Sequence, residues 1–564
     1  MKRRLALVIA VVLLIVTVFW LRSRITGPST PTATRLVATI RAEPRSFTRL
    51  LQADRATSTV SQLVHESLVR INHATQALEP ALASAWTPSA DGRRIRVTLR
   101  PGLRFADGAP LTADDVVFSL GLVFDQRLDS ALKDSLTVGG APITATAADA
   151  TTLDIVFPEP YGPGLRPLHA LPILPRARYA SPAAEGTLAA LWTPSAPPAG
   201  MIGAGPFIVT AHQSGAAIEL ARNPHYWRTA DDGTRLPRVD VLRLEIVPSQ
   251  DAEMQKLRQG EVDITTGELR VDDVPEAKAM AARQQLQLFE LGPALDVDML
   301  WFSLAPDAPG GERRAWLRRR ELREAIAMSV DRVAYVNAVY RGAGVQVSGV
   351  ITPGNKAWHA EIAPRPYSLA MAGELLDRIG VRDRDGNGVR EDVYNQPAHF
   401  TVLVQQGHAM RQRAAAVIQE SLRAAGLQME IVGLDPRALQ ERLGNGQYDA
   451  MFHALPSSDT DPSGLMEFWL SSGRFHLWHP MQKTPATPWE RELDVLMTRQ
   501  LTLTNQEARA KVVRDAQVLL DREYPVVTFA TPRVTVATSS RVTHVQPGLL
   551  TPSVLWNAAE LGVR

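Results

Sequence analysis

The chain contains no cysteine among its 564 residues. A protein without cysteine has no disulfide bond, zinc–thiolate site, iron–sulfur cluster or thiol nucleophile. It also offers no sulfur atom for the lipid of a lipoprotein. The absence fits both oxidising and reducing compartments, so other features of the sequence must indicate the location.

An excess of charge of one sign is also missing, because 61 Lys and Arg residues stand against 59 Asp and Glu residues. A general nucleic-acid binder would carry a clear basic excess, so we predict no nucleic-acid partner. The sequence lacks a GxxxxGK(S/T) phosphate loop, an HExxH zinc helix and a GxSxG nucleophile elbow. No pattern indicates catalysis, and we predict that the chain is not an enzyme.

One long hydrophobic run is present, at the N-terminus. Basic residues at 2–4 precede the apolar run 5–21, and Arg22 and Arg24 follow it. This pattern is typical of a cleaved export signal or of an uncleaved anchor. Both alternatives place the rest of the chain outside the inner membrane, in the periplasm. We therefore predict a signal or anchor segment and a tether over 1–34, with 5–21 as the membrane attachment if it is retained.

The rest of the chain alternates strand and helix patterns. Residues 242–246 alternate apolar and charged side chains, as a half-buried strand does, whereas apolar residues recur with helical spacing over 322–340. Thr112 and Asp115 have the spacing of a capping box at the start of another helix. The same alternation in both halves predicts an α/β fold, and the length predicts roughly three or four compact units.

Six segments resemble, in order along the chain, the family 5 solute-binding proteins of bacterial ABC importers, the oligopeptide- and dipeptide-binding group. The longest, TLRPGLRFADGAPLTADDVVFSL, covers 98–120. The other five are GAGPF at 203–207, NPHYW at 223–227, KLRQGEVDI at 256–264, LREAIAMSVDR at 322–332 and GQYD at 446–449. A single such segment is weak evidence, but six in the same order are specific.

The resemblance implies a two-lobed clamp of the periplasmic-binding-protein type, with two crossings between the lobes and an additional domain inserted in the first lobe. We predict domain I from 35–74, 200–285 and 526–564, the inserted domain II from 75–199, and domain III from 286–525.

The resemblance also implies a function and partners. The chain would be the substrate-binding component of an ABC importer, a monomer that delivers a peptide or similar medium-sized solute to an inner-membrane permease and ATPase complex. The alternative is a membrane-anchored sensor or accessory protein of the same fold. The apolar run at 5–21 and the missing lipoprotein cysteine favour that alternative.

The resemblance directs attention to an acidic segment near residue 460. Peptide-binding relatives carry an Asp four residues before the Pro of an acidic–Pro step, and this Asp pairs with the amino terminus of the peptide. Here the step is Asp461-Pro462, the fourth residue back is Ser458, and Asp459 lies one position away. Ser458, Asp459 and Asp461 are therefore candidate ligand contacts. Serine cannot replace the charge of a carboxylate, so an oligosaccharide or another amphiphile stays an alternative to a peptide.

A second anchor would follow the strand predicted at 400–404. Dipeptide-binding relatives tend to carry an Arg there for the ligand carboxylate, but Gln405 and Gln406 occupy this place. These two amides are candidate ligand contacts, and we interpret Arg411 and Arg413 as the solvated face of a helix.

Two tryptophans in the second half complete the candidate site. Trp301 and Trp469 offer flat apolar faces that suit sugar rings or apolar side chains. Packing in the core is the alternative for each of them.

One loop has the spacing of a calcium site. Asp383, Asp385 and Asn387 match the DxDxNG pattern, in which alternate side chains turn toward one centre. The twelfth position is Tyr394 rather than the bidentate Glu of an EF-hand. We favour a polar turn between a helix and a strand, with structural calcium as the alternative, and we predict no other cofactor.

Overall fold

The computed structural model describes residues 33–52, 54–454, 459–480 and 482–564. Residues 1–32 of the predicted signal or anchor segment lie outside the described residues. None of the helices in the described ranges combines the length and the hydrophobicity needed to cross a bilayer. The α-helices of these ranges are α1 Arg55–Val64, α2 Ala113–Val123, α3 Arg176–Ala184, α4 Gln250–Gln259, α5 Val274–Ala282, α6 Arg320–Ser329, α7 Arg332–Tyr340, α8 Leu369–Arg378, α9 Ala409–Ala424, α10 Pro436–Gly444, α11 Met466–Trp469, α12 Pro488–Thr502 and α13 Gln506–Glu523.

The strands are short and alternate with the helices along most of the chain. They are β1 Arg35–Ile40, β2 Val69–Ile71, β3 Leu78–Pro80, β4 Ala83–Pro88, β5 Arg94–Leu99, β6 Thr137–Val138, β7 Ala141–Pro142, β8 Thr144–Ala147, β9 Thr152–Val156, β10 Phe207–Gln213, β11 Ala217–Arg222, β12 Val241–Ile246, β13 Leu286–Pro293, β14 Met299–Phe302, β15 Gly344–Gln346, β16 His399–Gln405, β17 Gln428–Leu434, β18 Ala450–His453, β19 Val526–Thr528, β20 Ala530–Ser539, β21 Val542–Thr543 and β22 Gly562–Val563.

Local sequence accounts for where several helices begin. The capping box predicted at the start of α2 is confirmed, because the Thr112 amide donates to Asp115 Oδ2 at 2.8 Å. The helical spacing over 322–340 corresponds to two helices, α6 and α7. Asp331 lies between them and accepts from the amides of Val333 and Ala334 at 2.8 and 3.1 Å. This N-cap starts a new helix, so the pattern is divided there.

The first lobe contains two four-stranded sheets that share one core. One sheet has the order β1-β12-β11-β10, with β1 parallel to β12, and the other has the order β4-β5-β9-β8 and is antiparallel. Leu36 and Leu242 of the first sheet and Val97 and Leu153 of the second belong to the same cluster of buried side chains. The second sheet therefore packs onto the first lobe as an additional unit.

The second lobe is built on a five-stranded sheet with the order β17-β16-β18-β14-β19. Because successive side chains of a strand point to opposite faces, this sheet has a separate core on each side. In β14, Leu300 and Phe302 belong to the core on one face, whereas Met299 and Trp301 belong to the core on the other face. All four side chains are buried, as expected for a sheet covered on both sides.

Two strand connections lead side by side from the first lobe into the second. Strand β13 pairs with β20, and beyond them β14 pairs with β19 in the five-stranded sheet. Residues 294–298 join β13 to β14, and Phe529 alone separates β19 from β20. Such paired connections allow two lobes to rotate about a common axis.

Candidate functional site

A cavity of about 60 Å³ lies beside the first of these connections. Its wall is mostly apolar, with acidic and amide side chains at a few positions, which is the usual composition of a small-molecule site. The apolar lining residues are Leu295, Val297, Met299, Val350, Ile351, Pro462, Leu465, Phe468 and Trp469. The polar lining residues are Asp296, Asn355, Asp459, Thr460 and Asp461.

Asp459 joins the second lobe to the first through an ion pair with Arg166. Arg166 donates from Nε to Oδ2 at 2.7 Å and from its NH2 group to Oδ1 at 2.6 Å, although the two residues are 293 positions apart. The side chains are only 12% and 11% exposed. The same NH2 group also donates to Thr460 Oγ1 and to the Gln76 carbonyl. Arg166 therefore holds the two lobes together at the edge of the cavity.

The ion pair determines the charge state of Asp459. Burial raises the pKa of this carboxyl, but the hydrogen bonds and the positive charge of Arg166 outweigh burial and leave the pKa below its ordinary value. The carboxylate is thus charged at neutral pH and already has a cationic partner within the protein.

Two further contacts join the lobes around this pair. Gln76 donates from Nε2 to the Gly354 carbonyl at 2.8 Å. Arg474 pairs with Asp134 at 2.9 Å, with both side chains largely exposed. The contacts are consistent with the closed form of a clamp whose cavity adjoins the hinge.

Asp461 forms a different ion pair, which lies within the second lobe. Arg509 donates to both carboxylate oxygens at 2.9 and 2.8 Å, and both side chains are almost fully buried. The Arg509 guanidinium also lies 4.9 Å from the centre of the Trp358 ring. Asp461 lines the cavity, but its carboxylate pairs with Arg509 and so attaches the 459–469 segment to α13.

The two candidate tryptophans occupy different places. Trp301 is fully buried in the core of the second lobe, where its Nε1 donates to the His453 carbonyl at 2.9 Å and its ring stacks on Trp478. Trp469 lines the cavity, and its buried Nε1 has no hydrogen-bond partner among the described residues. The geometry therefore favours Trp469 over Trp301 as a ligand contact.

The two arginines predicted to be solvated after β16 differ, because Arg413 is 36% exposed and pairs with Asp272, whereas Arg411 is buried. Arg411 is only 12% exposed and pairs with Asp298 at 2.7 Å, so the interpretation of Arg411 as a solvated side chain is wrong. Arg411 lies in the first turn of α9, where it packs against Asp298 instead of facing the solvent. Asp298 follows directly after the cavity-lining residues 295–297. Gln405 ends β16 opposite Leu434, and the Gln406 side chain is exposed.

The predicted calcium loop satisfies its carboxylates by itself. Asp383 accepts from two backbone amides at 2.8 and 3.0 Å, and Asp385 accepts from the amide and the side chain of Asn387. Oxygen atoms of Asp383, Asp385 and Glu391 nevertheless lie within 4.8 Å of one another. Glu391 accepts from the Arg384 amide. These internal bonds fit the polar turn that we favour.

Ser458 lies outside the described residues, so its predicted role stays a prediction. Arg166 was not among the predicted site residues, because its local sequence, in a proline-rich stretch, carries no sign of a binding role. The one signal in the sequence was Asp459, a predicted site residue with no basic residue near it in sequence, which would need a cation from elsewhere in the fold.

Comparisons with known proteins place the chain in a family. The model of the bacterial extracellular solute-binding proteins, family 5 (middle), matches residues 77–476. Heme-binding protein A of Haemophilus influenzae is 25% identical over 488 residues, covering 83% of this chain and 82% of that protein. The dipeptide-binding protein of Escherichia coli is 23% identical over 517 residues, covering 88% and 89%.

A solved structure shows the same fold. The crystal structure of NikA from Brucella suis in complex with Fe(III)-EDTA matches with a TM-score of 0.77 at 19% identity, covering 94% of this chain and 100% of that chain. The fold is therefore the two-lobed α/β clamp that the sequence predicts. Since the family model covers more than half of the chain, the protein belongs to the bacterial extracellular solute-binding proteins of family 5.

Proposed function

We propose that the protein captures a peptide or a similar medium-sized solute between its lobes and presents the closed form to an inner-membrane ABC permease and ATPase complex. The observation that carries the proposal is the buried Arg166–Asp459 pair, which joins the lobes beside an apolar cavity. Closure excludes water from a ligand and creates a surface that a membrane partner can recognise.

The ligand class follows from the charges around the cavity. Arg166 already neutralises Asp459, and Arg509 neutralises Asp461, so neither carboxylate requires a ligand ammonium group. The apolar wall with Trp469 supports recognition of an apolar portion of the solute. One relative is named for heme and another for a dipeptide, and a solved structure of the same fold holds Fe(III)-EDTA, so we test a wide range of solutes. We propose binding without catalysis, by a monomer, with the domain boundaries predicted above.

Thermal unfolding in the presence of candidate solutes tests the proposal. A solute that binds the folded protein stabilises it by RT ln(1 + L/Kd), where L is the free solute concentration, so the melting temperature rises with the concentration of the solute. We expect one class among peptides, oligosaccharides, heme and metal chelates to give a concentration-dependent rise. The absence of any response across that set would count against solute capture.

A membrane-anchored sensor is the second candidate function. It is favoured by the apolar run 5–21 in a chain that has no cysteine for lipid attachment. Intact-mass measurement of the mature protein from its native membrane fraction tests the anchor. Retention of the run, together with a gene neighbourhood that lacks permease and ATPase genes, would favour sensing over transport.

A further inference from the structure

A second cavity lies within the first lobe and has a volume of about 90 Å³. A cavity of only about 10–15 Å³ holds one water molecule, so this space admits a group of several atoms. Its wall brings together the ends of α1 and β2, the 3-10 helix at Arg166–Ala170 and residues 555–559 near the C-terminus. Its charged and titratable lining residues are Arg49, His65, Glu66, Arg70, His73, His169, Tyr226 and Arg228.

Most charges in this wall have partners. Arg70 pairs with Glu79 at 2.9 Å, and Arg228 pairs with Glu560 at 2.7 Å. Glu66 accepts hydrogen bonds from the Tyr226 hydroxyl and the Trp227 indole. Ion pairs therefore neutralise the two arginines Arg70 and Arg228, whereas Glu66 receives hydrogen bonds from two neutral groups and has no ion pair among the described residues.

Among the described arginines that line the cavity, Arg49 is the one without an ion pair. No carboxylate of the described ranges lies within ion-pair distance of its guanidinium, and its Nε, closed off from solvent, has no hydrogen-bond partner there. Burial without a counter-charge lowers the pKa of Arg49 to about 10, so the side chain still carries a full positive charge at neutral pH. A partly buried cation without a partner attracts an anion.

The backbone holds Arg49 in place. Its neighbours Thr48 and Leu50 are buried, and its own amide donates to Ser61 Oγ of α1 at 3.1 Å. Because the backbone is already fixed, only the Arg49 side chain has to become ordered when a ligand binds.

The histidines of the wall contribute hydrogen bonds rather than charge. Burial lowers the pKa of His65 to about 3 and that of His169 to about 4, so both are neutral above pH 5. Neither ring nitrogen of the buried His65 makes a hydrogen bond of ordinary geometry among the described residues. The nearby Phe47 carbonyl raises the pKa of His65 slightly, but burial lowers it more. His65 is thus a second unsatisfied polar group in the same cavity.

The ion pair between the lobes connects the two cavity walls, since His169 of one wall hydrogen-bonds the Arg166 carbonyl at 2.8 Å and the Arg166 side chain pairs with Asp459 of the other. His169 lines the first-lobe cavity and is close enough to Asp459 for that charge to raise the pKa of His169 against burial. Asp459 lines the second-lobe cavity. A solute that spans both spaces would meet an apolar wall in one lobe and the Arg49 guanidinium in the other.

We infer that Arg49 binds a carboxylate group of the solute, with His65 as an additional hydrogen-bonding group, and that the protein therefore selects anionic solutes. This inference rests on the proposed function, because it names the charge of the solute that the clamp captures. The guanidinium presents paired N–H donors whose spacing matches the two oxygens of a carboxylate.

The experiment uses the mature protein and pairs of probes that differ only in charge. The probes are di-, tri- and tetrapeptides with a free carboxylate, each compared with its C-terminal carboxamide. The proteins are the wild type, Arg49→Gln, and the matched control Arg55→Gln, which removes an exposed arginine of the same lobe. Isothermal titration calorimetry gives the affinity of each pair once thermal unfolding has identified peptides that bind.

We expect the wild type and Arg55→Gln to prefer the carboxylate about tenfold to hundredfold, which is the range for a charged hydrogen bond. Arg49→Gln should bind both members of a pair equally. Without ligand, Arg49→Gln should melt at the same or a higher temperature, because an uncompensated cation has been removed.

Four outcomes would overturn the inference. Equal wild-type affinity for carboxylate and carboxamide refutes it and leaves solute capture intact. A preference that persists in Arg49→Gln assigns the carboxylate to another group. A lower melting temperature of unliganded Arg49→Gln, with the preference retained, identifies Arg49 as a structural residue. If no peptide or other solute stabilises the wild type, solute capture itself fails and the inference fails with it.

Discussion

Replacement of Arg166 by methionine should open the clamp without unfolding either lobe. The side chain makes two short hydrogen bonds to Asp459, at 2.7 and 2.6 Å, from an environment in which it is 12% exposed. Methionine keeps the apolar stem and removes the charge. Since Asp459 regains water when the lobes separate, the change should act on the balance between closed and open forms.

The size of the effect follows from the burial of the pair. Truncation that leaves a charge stranded in the interior costs about 3–5 kcal/mol, whereas an exposed pair contributes about 0–1 kcal/mol. Because opening of the lobes returns Asp459 to water, we expect the free-energy difference between the closed and open forms to change by an amount between these limits, about 1.4–2.8 kcal/mol. That range lowers the ratio of closed to open molecules about tenfold to hundredfold.

Single-molecule energy transfer between the lobes measures this ratio directly. The absence of native cysteine allows two labels to be placed selectively, at Ala148→Cys of the first lobe and Ala424→Cys of the second, both exposed positions. The matched control is Arg474→Met, which breaks the exposed pair with Asp134 and should change the ratio less than about fivefold.

A double-mutant cycle completes the test. Asp459→Asn should open the clamp to a similar extent, and the two changes together should add little to either alone. An unchanged closed fraction in Arg166→Met, or an equal effect of Arg474→Met, would refute the assignment of the buried pair as the closing contact.

Four further predictions follow from the same contacts. The pKa of Asp459 is lowered in the closed form, so the charged carboxylate stabilises that form fully at pH values above its ordinary pKa of about 3.9. This stabilisation should be lost as the pH falls through the lowered pKa. Asp459→Asn should abolish the pH dependence of the closed fraction in the energy-transfer assay. Trp301→Ala should reduce the free energy of unfolding by about 3–5 kcal/mol and retain the ligand-induced rise in melting temperature, whereas Trp469→Ala should lose that rise. Arg509→Met should destabilise the second lobe by about 3–5 kcal/mol in urea denaturation, because the buried Asp461 carboxylate loses the cation that pairs with both of its oxygens; a loss below 1 kcal/mol would contradict this account. Chelation with EDTA should leave the melting temperature unchanged, since the 383–391 loop satisfies its own carboxylates; a fall that added calcium restores would favour the structural metal instead.

Local patterns determined much of the fold in advance. The alternation over 242–246 corresponds to β12, and the capping box at Thr112 begins α2. Both features depend on residues within one strand or one helical turn, so short stretches of sequence contain the information. The ordered segments then identified the family, which the match over 77–476 confirms.

The site was predictable only in part, and the reason is physical. The sequence alone directed attention to Asp459 and Trp469 and to the absence of a clear ionic anchor. It could not assign Asp459 to Arg166, 293 positions away, because that contact depends on how the fold places one lobe against the other. Nor could it show that Arg411 is buried against Asp298.

The same distinction applies to Arg49. Its sequence neighbourhood is that of an ordinary loop residue, and nothing local indicates a cation without a counter-charge. Whether a charge has a partner depends on which distant carboxylates the fold brings within about 4 Å. The sequence by itself determined the architecture and directed attention to the acidic segment near residue 460, whereas the tertiary structure alone decided which charges have partners.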